Sequence, residues 1–548
     1  MQSVYILLLA LFVSMVLIPP LRRLGGPLGL TDLPDARKIH DHAIPRTGGI
    51  AIAAGTLLST GLLITLNQEG KALIAGWCVI LLFGLLDDRL NLDYRLKLLG
   101  QVIAGSIVVV GGGVMITEVP FLGLEALPTG IAIPLTVLLL TAITNAINLS
   151  DGLDGLAGGL SVLALGCLAI FAYQSDDQTN FALAMALMGA TFGFLRFNSS
   201  PAQIFMGDSG SQFLGFGAGV LAIGTTQRPD TALGPLTPLL VLGLPVLDTI
   251  NVMTRRIAAG RSPFSADKLH LHHQLLQAGL SQNQAVSLVY LAQVIAVALA
   301  YALRYSSDIA IIGAYVAFCA AVLLAIHALK HRHHSQVRRK HAHILVLEGF
   351  LKALDSLESR APTILETTRR ALALMLVVVF VGGAAAADAI SADITSLAIL
   401  LLVLALAAPM LPRKLGATFE RISLYAAGLV IIFLATPPLR EEIGTTTLIA
   451  FFGTLALLTG IAVRAAESAF RTSSLDMLIL IIAVAMPLFS APLPPRLTFL
   501  VPQAIILFYS IEVILSQPQG RWSPLRLALL IGLAILTAKG LASQEFRV

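Results

Sequence analysis

The chain has 548 residues, of which 56% are hydrophobic and only 12% charged, with a net charge of +5. Soluble domains carry about 25% charged residues. So few charges cannot cover a water-soluble protein of this length, and a cytosolic enzyme is excluded. Apolar runs of roughly 15–20 residues recur from Val4 to Leu541, each long enough to cross a ~30 Å hydrocarbon core as a helix. They show no strand-like alternation, which argues against a barrel. The fold class is therefore an all-α polytopic membrane protein. Cys78, Cys167 and Cys319 all lie inside apolar runs with no C-x-x-C pair, so they read as buried bystanders rather than disulfide or zinc residues. The N-terminus lacks a basic n-region and a small-residue cleavage site, so the first run reads as a retained span.

Eleven spans are predicted at about 4–20, 48–66, 72–86, 98–117, 131–147, 157–173, 181–195, 212–226, 236–253, 285–303 and 309–329. A polar, basic stretch at 330–370 follows, and then seven more runs at about 371–388, 395–411, 422–436, 447–463, 475–489, 497–515 and 525–541. With the N-terminus outside and the chain alternating, only Lys71, Arg228, Arg304, Arg440, Arg496, Lys539 and Arg547 of the 36 Lys and Arg residues face outward. That asymmetry satisfies the positive-inside rule. All 11 histidines then lie at or beyond inward span ends, which points to a binding or catalytic face on the cytoplasmic side.

The first inward segment contains Lys38, His40, His42 and Arg46, followed by Gly48–Gly49. Its cations suit phosphates, or equally the headgroups of anionic lipids. The second begins Asp87–Asp88–Arg89 directly after an apolar run. Adjacent carboxylates at a membrane boundary call for a metal ion, a shared proton or a cationic partner. The third, N-A-I-N-L-S-D-G-L-D-G, places Asn145, Asn148, Asp151 and Asp154 three residues apart, so neighbouring polar groups share one side of a helix. Oxygen donors without nearby Cys or His suit a hard cation or a sugar nucleotide. In the fourth, Asp208 sits between glycines before an apolar span, either as a helix N-cap or beside backbone amides that face an anion. The fifth holds Asp248 inside a span, then Arg255, Arg256, His270, His272 and His273. The histidine spacing is poor for zinc and better suited to a diphosphate.

Carboxylates on this scale would repel a phosphate substrate unless a divalent cation bridged them, and Mg²⁺ is the default for phosphate chemistry. A site at hydrocarbon depth on the cytoplasmic side implies one lipidic and one water-soluble phosphorylated substrate.

Together, D-D-R at 87–89, N-x-x-N-x-x-D-G-x-D-G at 145–155, F-M-G-D-S-G-S at 205–211 and H-L-H-H at 270–273 resemble the polyprenyl-phosphate N-acetylhexosamine-1-phosphate transferases, of glycosyltransferase family 4 type. The resemblance covers about residues 1–330 and implies an eleven-span transferase domain there. It implies Mg²⁺, with Mn²⁺ as a substitute, held by Asp208 and Asp151. It implies catalytic roles for Asp87, Asp88, Asp151 and Asp154, one of the acidic pair deprotonating the lipid phosphate. Substrate-binding positions would be Lys38, Arg46, Asn145, Asn148, Asn198, Phe205, Arg255, Arg256, His270, His272 and His273, with Asn198 and Phe205 at the nucleoside. Leu271 interrupts the three consecutive histidines of the muramoyl-pentapeptide branch, and the pattern looks like the branch using UDP-GlcNAc or a related nucleotide. The implied reaction is attack by undecaprenyl phosphate on the UDP-sugar, releasing UMP and starting a cell-surface polysaccharide. The implied location is the bacterial inner membrane, with membrane lipids around the chain and no nucleic-acid partner.

Residues 331–548 depart from that pattern. A basic, His-rich linker and an amphipathic segment fill 331–370, and the apolar runs of 371–548 repeat none of the motifs. A partner-docking or homodimerising membrane domain is the expectation for 371–548. The alternative for the whole chain is a non-catalytic carrier or scaffold for lipid-linked sugars.

Overall fold

The computed structural model describes residues 2–32, 43–119, 123, 126–228, 231–262, 269–338, 361–388, 390–465, 473–485, 495–516 and 523–545. Lys38, His40 and His42 therefore lie outside the described residues. The protein is an all-α polytopic membrane protein. Thirteen described helices are long and apolar enough to cross a membrane, and three shorter apolar helices accompany them. The described strands are two residues each, β1 (Thr31–Asp32) and β2 (Ile44–Pro45), paired antiparallel.

Every expected apolar run falls wholly or partly on described helix, and two of them lie outside both the thirteen helices that are long and apolar enough by themselves and the three shorter ones. The run at 212–226 lies in α8 (Gly207–Thr226), whose start carries Asp208, Ser209, Ser211 and Gln212 and which is buried from Ser209 onward. It is shielded by protein, so it need not be apolar enough for lipid. The run at 236–253 is interrupted at Leu242 between α9 (Thr237–Val241) and α10 (Gly243–Ala258). α10 buries one face only, and that face carries Asp248 and Arg256 while Ile250 and Ile257 are exposed.

The helices group into two units: Met1–Arg339 with Ser473–Pro492, and Lys340–Thr472 with Leu493–Val548. The first also contains α1 (Gln2–Leu24), α2 (Gly48–Leu63), α3 (Gln68–Leu90), α4 (Tyr94–Ser106), α5 (Thr129–Leu149), α6 (Leu156–Gln174), α7 (Gln178–Asn198), α11 (Leu271–Gln277), α12 (Gln282–Ala302) and α13 (Asp308–Arg338). α6 is apolar on nearly every face and correspondingly buried. Trp77, Phe171, Phe194, Phe213 and Phe216 fill the interior. Trp77 stacks on Phe213 with centroids 4.9 Å apart and donates its indole N–H to the Phe213 carbonyl at 3.1 Å.

Small residues set how closely the helices meet. A Cβ on Gly49 or Gly84 would come within 2.4 Å of the backbone of Gly210 or Ser209, respectively. α2 and α3 therefore approach the start of α8 backbone to backbone. Gly48 and Gly49 also donate their N–H groups to the carbonyls of Phe205 and Met206, both at 2.9 Å. Three elements distant in sequence are thus fastened at one end of the bundle, which is where the acidic motifs lie.

The second unit is built from helices including Ala392–Ala407, Arg413–Glu442, Thr445–Ala465, Pro495–Leu515 and Pro524–Glu545, packed around Phe380, Ile431, Leu507 and Leu533. Several of its interior polar groups pair locally. Arg526 forms a fork with Glu420 at 2.5 and 3.0 Å, Glu512 accepts from the Tyr425 hydroxyl beside Arg421, and Thr459 meets Ser510 at 2.7 Å.

Candidate active site

Asp87 and Asp88 end α3, and both are buried. Burial of carboxylates requires hydrogen-bonded or charged partners, and each acid has its own kind. Asp88 accepts from the backbone N–H groups of Asp208 at 2.8 Å and Ser209 at 3.0 Å. The first N–H groups of a helix have no partner within it, and no side chain at Met206 caps α8. Asp88 therefore caps α8 from another helix. Gly207 makes room: its φ is +69°, and a Cβ there would lie 2.5 Å from the Asp88 carboxylate oxygens. Asp208 itself lies in the first turn of α8 rather than at the N-cap, which excludes the N-cap reading.

Asp87 accepts from the Leu92 N–H at 2.8 Å and pairs with the Lys97 ammonium at 2.5 Å. The same ammonium lies 3.7 Å from the Asp208 carboxylate. Sequence reading missed Lys97. The signal was present, because Asp93 caps α4 by accepting from the Arg95 N–H, which places Lys97 in the first turn, facing back toward α3.

The Asn/Asp ladder does not remain on one helical face throughout. Asn145 and Asn148 lie in α5, whereas Asp151 and Asp154 lie in the turn before α6. Asn145 donates to Gln101 at 2.6 Å, and Gln101 donates to Gln212 at 3.0 Å, a buried amide chain across α5, α4 and α8. Asn148 accepts from Ser211 at 2.6 Å. Asp154 accepts from the Ala202 N–H at 3.0 Å. Asn198 accepts from the Gly155 N–H and donates to the Ile204 carbonyl, both at 2.9 Å. It thus ties the Asp154–Gly155 turn to the loop before α8. Phe205 is half-buried, and its N–H bonds to Pro45.

The histidine segment meets the same turn. Asp248 in α10 accepts from His270 Nδ1 at 3.0 Å and from the Leu271 N–H at 2.8 Å. This fixes the start of α11 and aims His272 at the ladder. A Cβ on Gly152 would lie 2.2 Å from His272 Nε2, so glycine is required there. His272 is buried, and among the described residues its Nε2 has no hydrogen-bond partner. Burial, followed by the neighbouring His273 and His270, pushes its pKa down to about 3, so the imidazole is neutral at physiological pH. His273 packs against His272, with ring centroids 4.3 Å apart. Arg256 is buried in the last turn of α10 and Arg255 is exposed. Arg46 pairs with Asp32 beside the β1–β2 ladder.

The charges do not balance. The Asp151 carboxyl is pushed up to about 7, first by its withdrawal from water and then by Asp208, Asp88 and Asp154, with Arg46 opposing. Four acids thus repel one another, with Lys97 as the ammonium between Asp87 and Asp208. Among the described residues, no group of three or more His, Cys, Asp or Glu side chains already forms a metal cage. This donor set still fits Mg²⁺, which usually takes one or two carboxylates and completes its shell with water and phosphate oxygens. Asp208 and Asp151 are the carboxylates suited to it.

Such an arrangement defines a polytopic membrane protein with an acidic, phosphate-suited site at one end of its helices. A family model described as glycosyl transferase family 4 matches residues 71–226, which include Asp87, Asp88, the ladder and Asp208. The chain is 39% identical over 290 residues to a "Probable undecaprenyl-phosphate N-acetylglucosaminyl 1-phosphate transferase" of Bacillus subtilis, covering 52% of this chain and 80% of that protein. It is 36% identical over 312 residues to a "Decaprenyl-phosphate N-acetylglucosaminephosphotransferase" of Mycobacterium tuberculosis, covering 50% and 75%. It is 30% identical over 292 residues to an "Undecaprenyl-phosphate alpha-N-acetylglucosaminyl 1-phosphate transferase" of Escherichia coli K12, covering 52% and 79%. The chain belongs to this family of membrane-bound transferases.

Proposed function

We propose that the protein transfers N-acetylglucosamine-1-phosphate from UDP-GlcNAc to undecaprenyl phosphate at the cytoplasmic face of the bacterial inner membrane, and so begins a cell-surface polysaccharide. The observation that carries this reading is the convergence of Asp87, Asp88, Lys97 and Asp208 at one buried helix end, beside a family match whose curated relatives are named for that transfer.

In the reaction, an oxygen of the lipid phosphate attacks the β-phosphorus of the nucleotide sugar. The bond from that phosphorus to the oxygen bridging to the α-phosphate breaks, and UMP leaves with its electron pair. Phosphoryl transfer depends on positioning and charge neutralisation more than on covalent chemistry. Asp208 and Asp151 would hold Mg²⁺, which would supply the positive charge that lets phosphates approach these acids. Asp88, engaged by two backbone amides, fixes the start of α8 and so the position of Asp208. That leaves Asp87, against Lys97, as the member of the acidic pair placed to take the proton of the lipid phosphate. Lys97 offsets charge on the incoming phosphates, and neutral His272 and His273 line the approach over the ladder turn.

The test is purified full-length protein with undecaprenyl phosphate, Mg²⁺ and a panel of UDP-sugars, read as UMP release. Release with UDP-GlcNAc is expected. No release from any sugar would leave the carrier reading in its place.

A further inference from the structure

The helix Ser474–Ala485 lies more than 130 residues beyond the end of α13, yet its contacts belong to the transferase unit. Leu478 is fully buried in the same hydrophobic core as Leu156, Leu160 and Tyr290. The helix begins on a local cap in which the Asp476 carboxylate accepts from the Ser473 N–H at 2.7 Å and from the Ser473 hydroxyl at 2.8 Å. The next residue, Ser474, is fully buried, and its hydroxyl donates to the Asp154 carbonyl at 3.4 Å. A Cβ on Gly155 would lie 2.6 Å from that hydroxyl oxygen.

The Asp154–Gly155 turn is therefore gripped from three directions. Asn198 takes the Gly155 N–H, the Tyr290 hydroxyl donates to the Gly155 carbonyl at 2.7 Å, and Ser474 takes the Asp154 carbonyl. Gly155 is left-handed, with φ +80°, and Gly159 leaves space for the Tyr290 ring, which a Cβ there would meet at 2.3 Å. Two of these grips come from within the first 330 residues; the third comes from the extension. Counting alternate spans by the positions of Lys and Arg places residue 474 on the same side of the membrane as the ladder.

We propose that Ser474 is a positioning residue for the transferase site, and that the extension supplies the Ser474–Ala485 helix as a wall of the catalytic turn. Ser474 does not touch the reacting atoms. It acts through the Asp154 peptide, which sets the direction of the Asp154 side chain and the path of the chain back to Asp151. The extension is then part of the enzyme rather than an appended membrane anchor.

The inference rests on the proposed activity, so the experiment has two readouts on the full-length protein. The first is hydrogen exchange of the peptide spanning Asn148–Gly158, which needs no turnover. Ser474→Ala is expected to speed exchange there about threefold to tenfold, as the loss of one modest hydrogen bond does. The second is UMP release, where Ser474→Ala is expected to lower kcat by a similar factor with KM for the nucleotide sugar little changed. Ser474→Leu, which drives bulk against Gly155, is expected to lower kcat by a further order of magnitude. Exchange and kcat both like wild type in Ser474→Ala would overturn the inference while leaving the activity intact. An inactive wild type whose Ser474→Ala variant still shows faster exchange would overturn the activity alone.

Discussion

The two units treat buried charge differently. Among the described residues of the second, buried and half-buried ionic groups are answered locally: Arg526 by Glu420, Glu512 by Arg421 and Tyr425, and Lys539 by the carbonyls of Ala385 and Ala387. In the first, Asp87, Asp88, Asp151, Asp154 and Asp208 crowd one end, with Lys97 and Arg46 as the cations that oppose them. A balanced pair inside a membrane protein closes an electrostatic account between helices. An excess of one sign leaves a field for something else to complete. Glu512, inside the Pro495–Leu515 helix, thus belongs to the balanced kind.

The sharpest way to break this contrast is to neutralise one acid in each unit. Asp208→Asn is expected to lower Mg²⁺-dependent UMP release by roughly a thousandfold or more, on the scale of losing a group that stabilises transition-state charge, with little change in detergent melting temperature. Glu512→Gln should leave turnover per folded molecule within twofold of wild type. A turnover loss of equal size in both variants would erase the distinction.

A second variant separates positioning from metal binding. Asp88→Ala leaves the Asp208 and Ser209 N–H groups without their acceptor. Buried donors without partners cost about 1–3 kcal/mol each, so both thermal stability and turnover should fall. If turnover fell while stability held, Asp88 would be acting on substrate rather than on α8. The matching change in the second unit is Glu420→Gln, which removes the carboxylate from the Arg526 fork. Breaking a partly buried pair is expected to cost roughly 1–3 kcal/mol, read as a lower melting temperature with kcat preserved.

How much of this was legible in the sequence depends on the kind of contact. Apolar length alone gave nearly every helix, because a span must satisfy its own backbone hydrogen bonds. It did not separate α8 from lipid-facing spans, since burial by protein and burial by lipid both favour small and apolar residues, and only Asp208, Ser209, Ser211 and Gln212 distinguish them. Motif spacing pointed to Asp87, Asp88, Asp208 and His272, but not to what each would touch. That Asp88 engages α8 with both oxygens, or that Asn198 accepts from the Gly155 N–H, follows only from segments meeting across more than forty residues of chain. Lys97 and Ser474 carried no motif at all; a local cap, Asp93 in one case and Ser473 with Asp476 in the other, fixes where each side chain starts.

The smallest expected effect concerns pH, and it again turns on a group without a partner. His272 is held neutral, with its pKa lowered to about 3 against an ordinary value near 6.5. Above about pH 6.5 both folded and unfolded chains carry the neutral ring, and the shift contributes nothing. As the pH falls below 6.5 the unfolded ring takes a proton that the folded one refuses, so stability is lost progressively until about pH 3. One pH unit is worth about 1.4 kcal/mol, so wild type should lose roughly 2 kcal/mol between pH 6.5 and 5 from this residue. His272→Gln removes the ionisation, and the difference in melting temperature between variant and wild type should narrow or reverse over that interval. A difference that stays constant with pH would mean that water or a neighbouring carboxylate reaches Nε2. In that case the imidazole over Gly152 is a charged contact for phosphate rather than a neutral one.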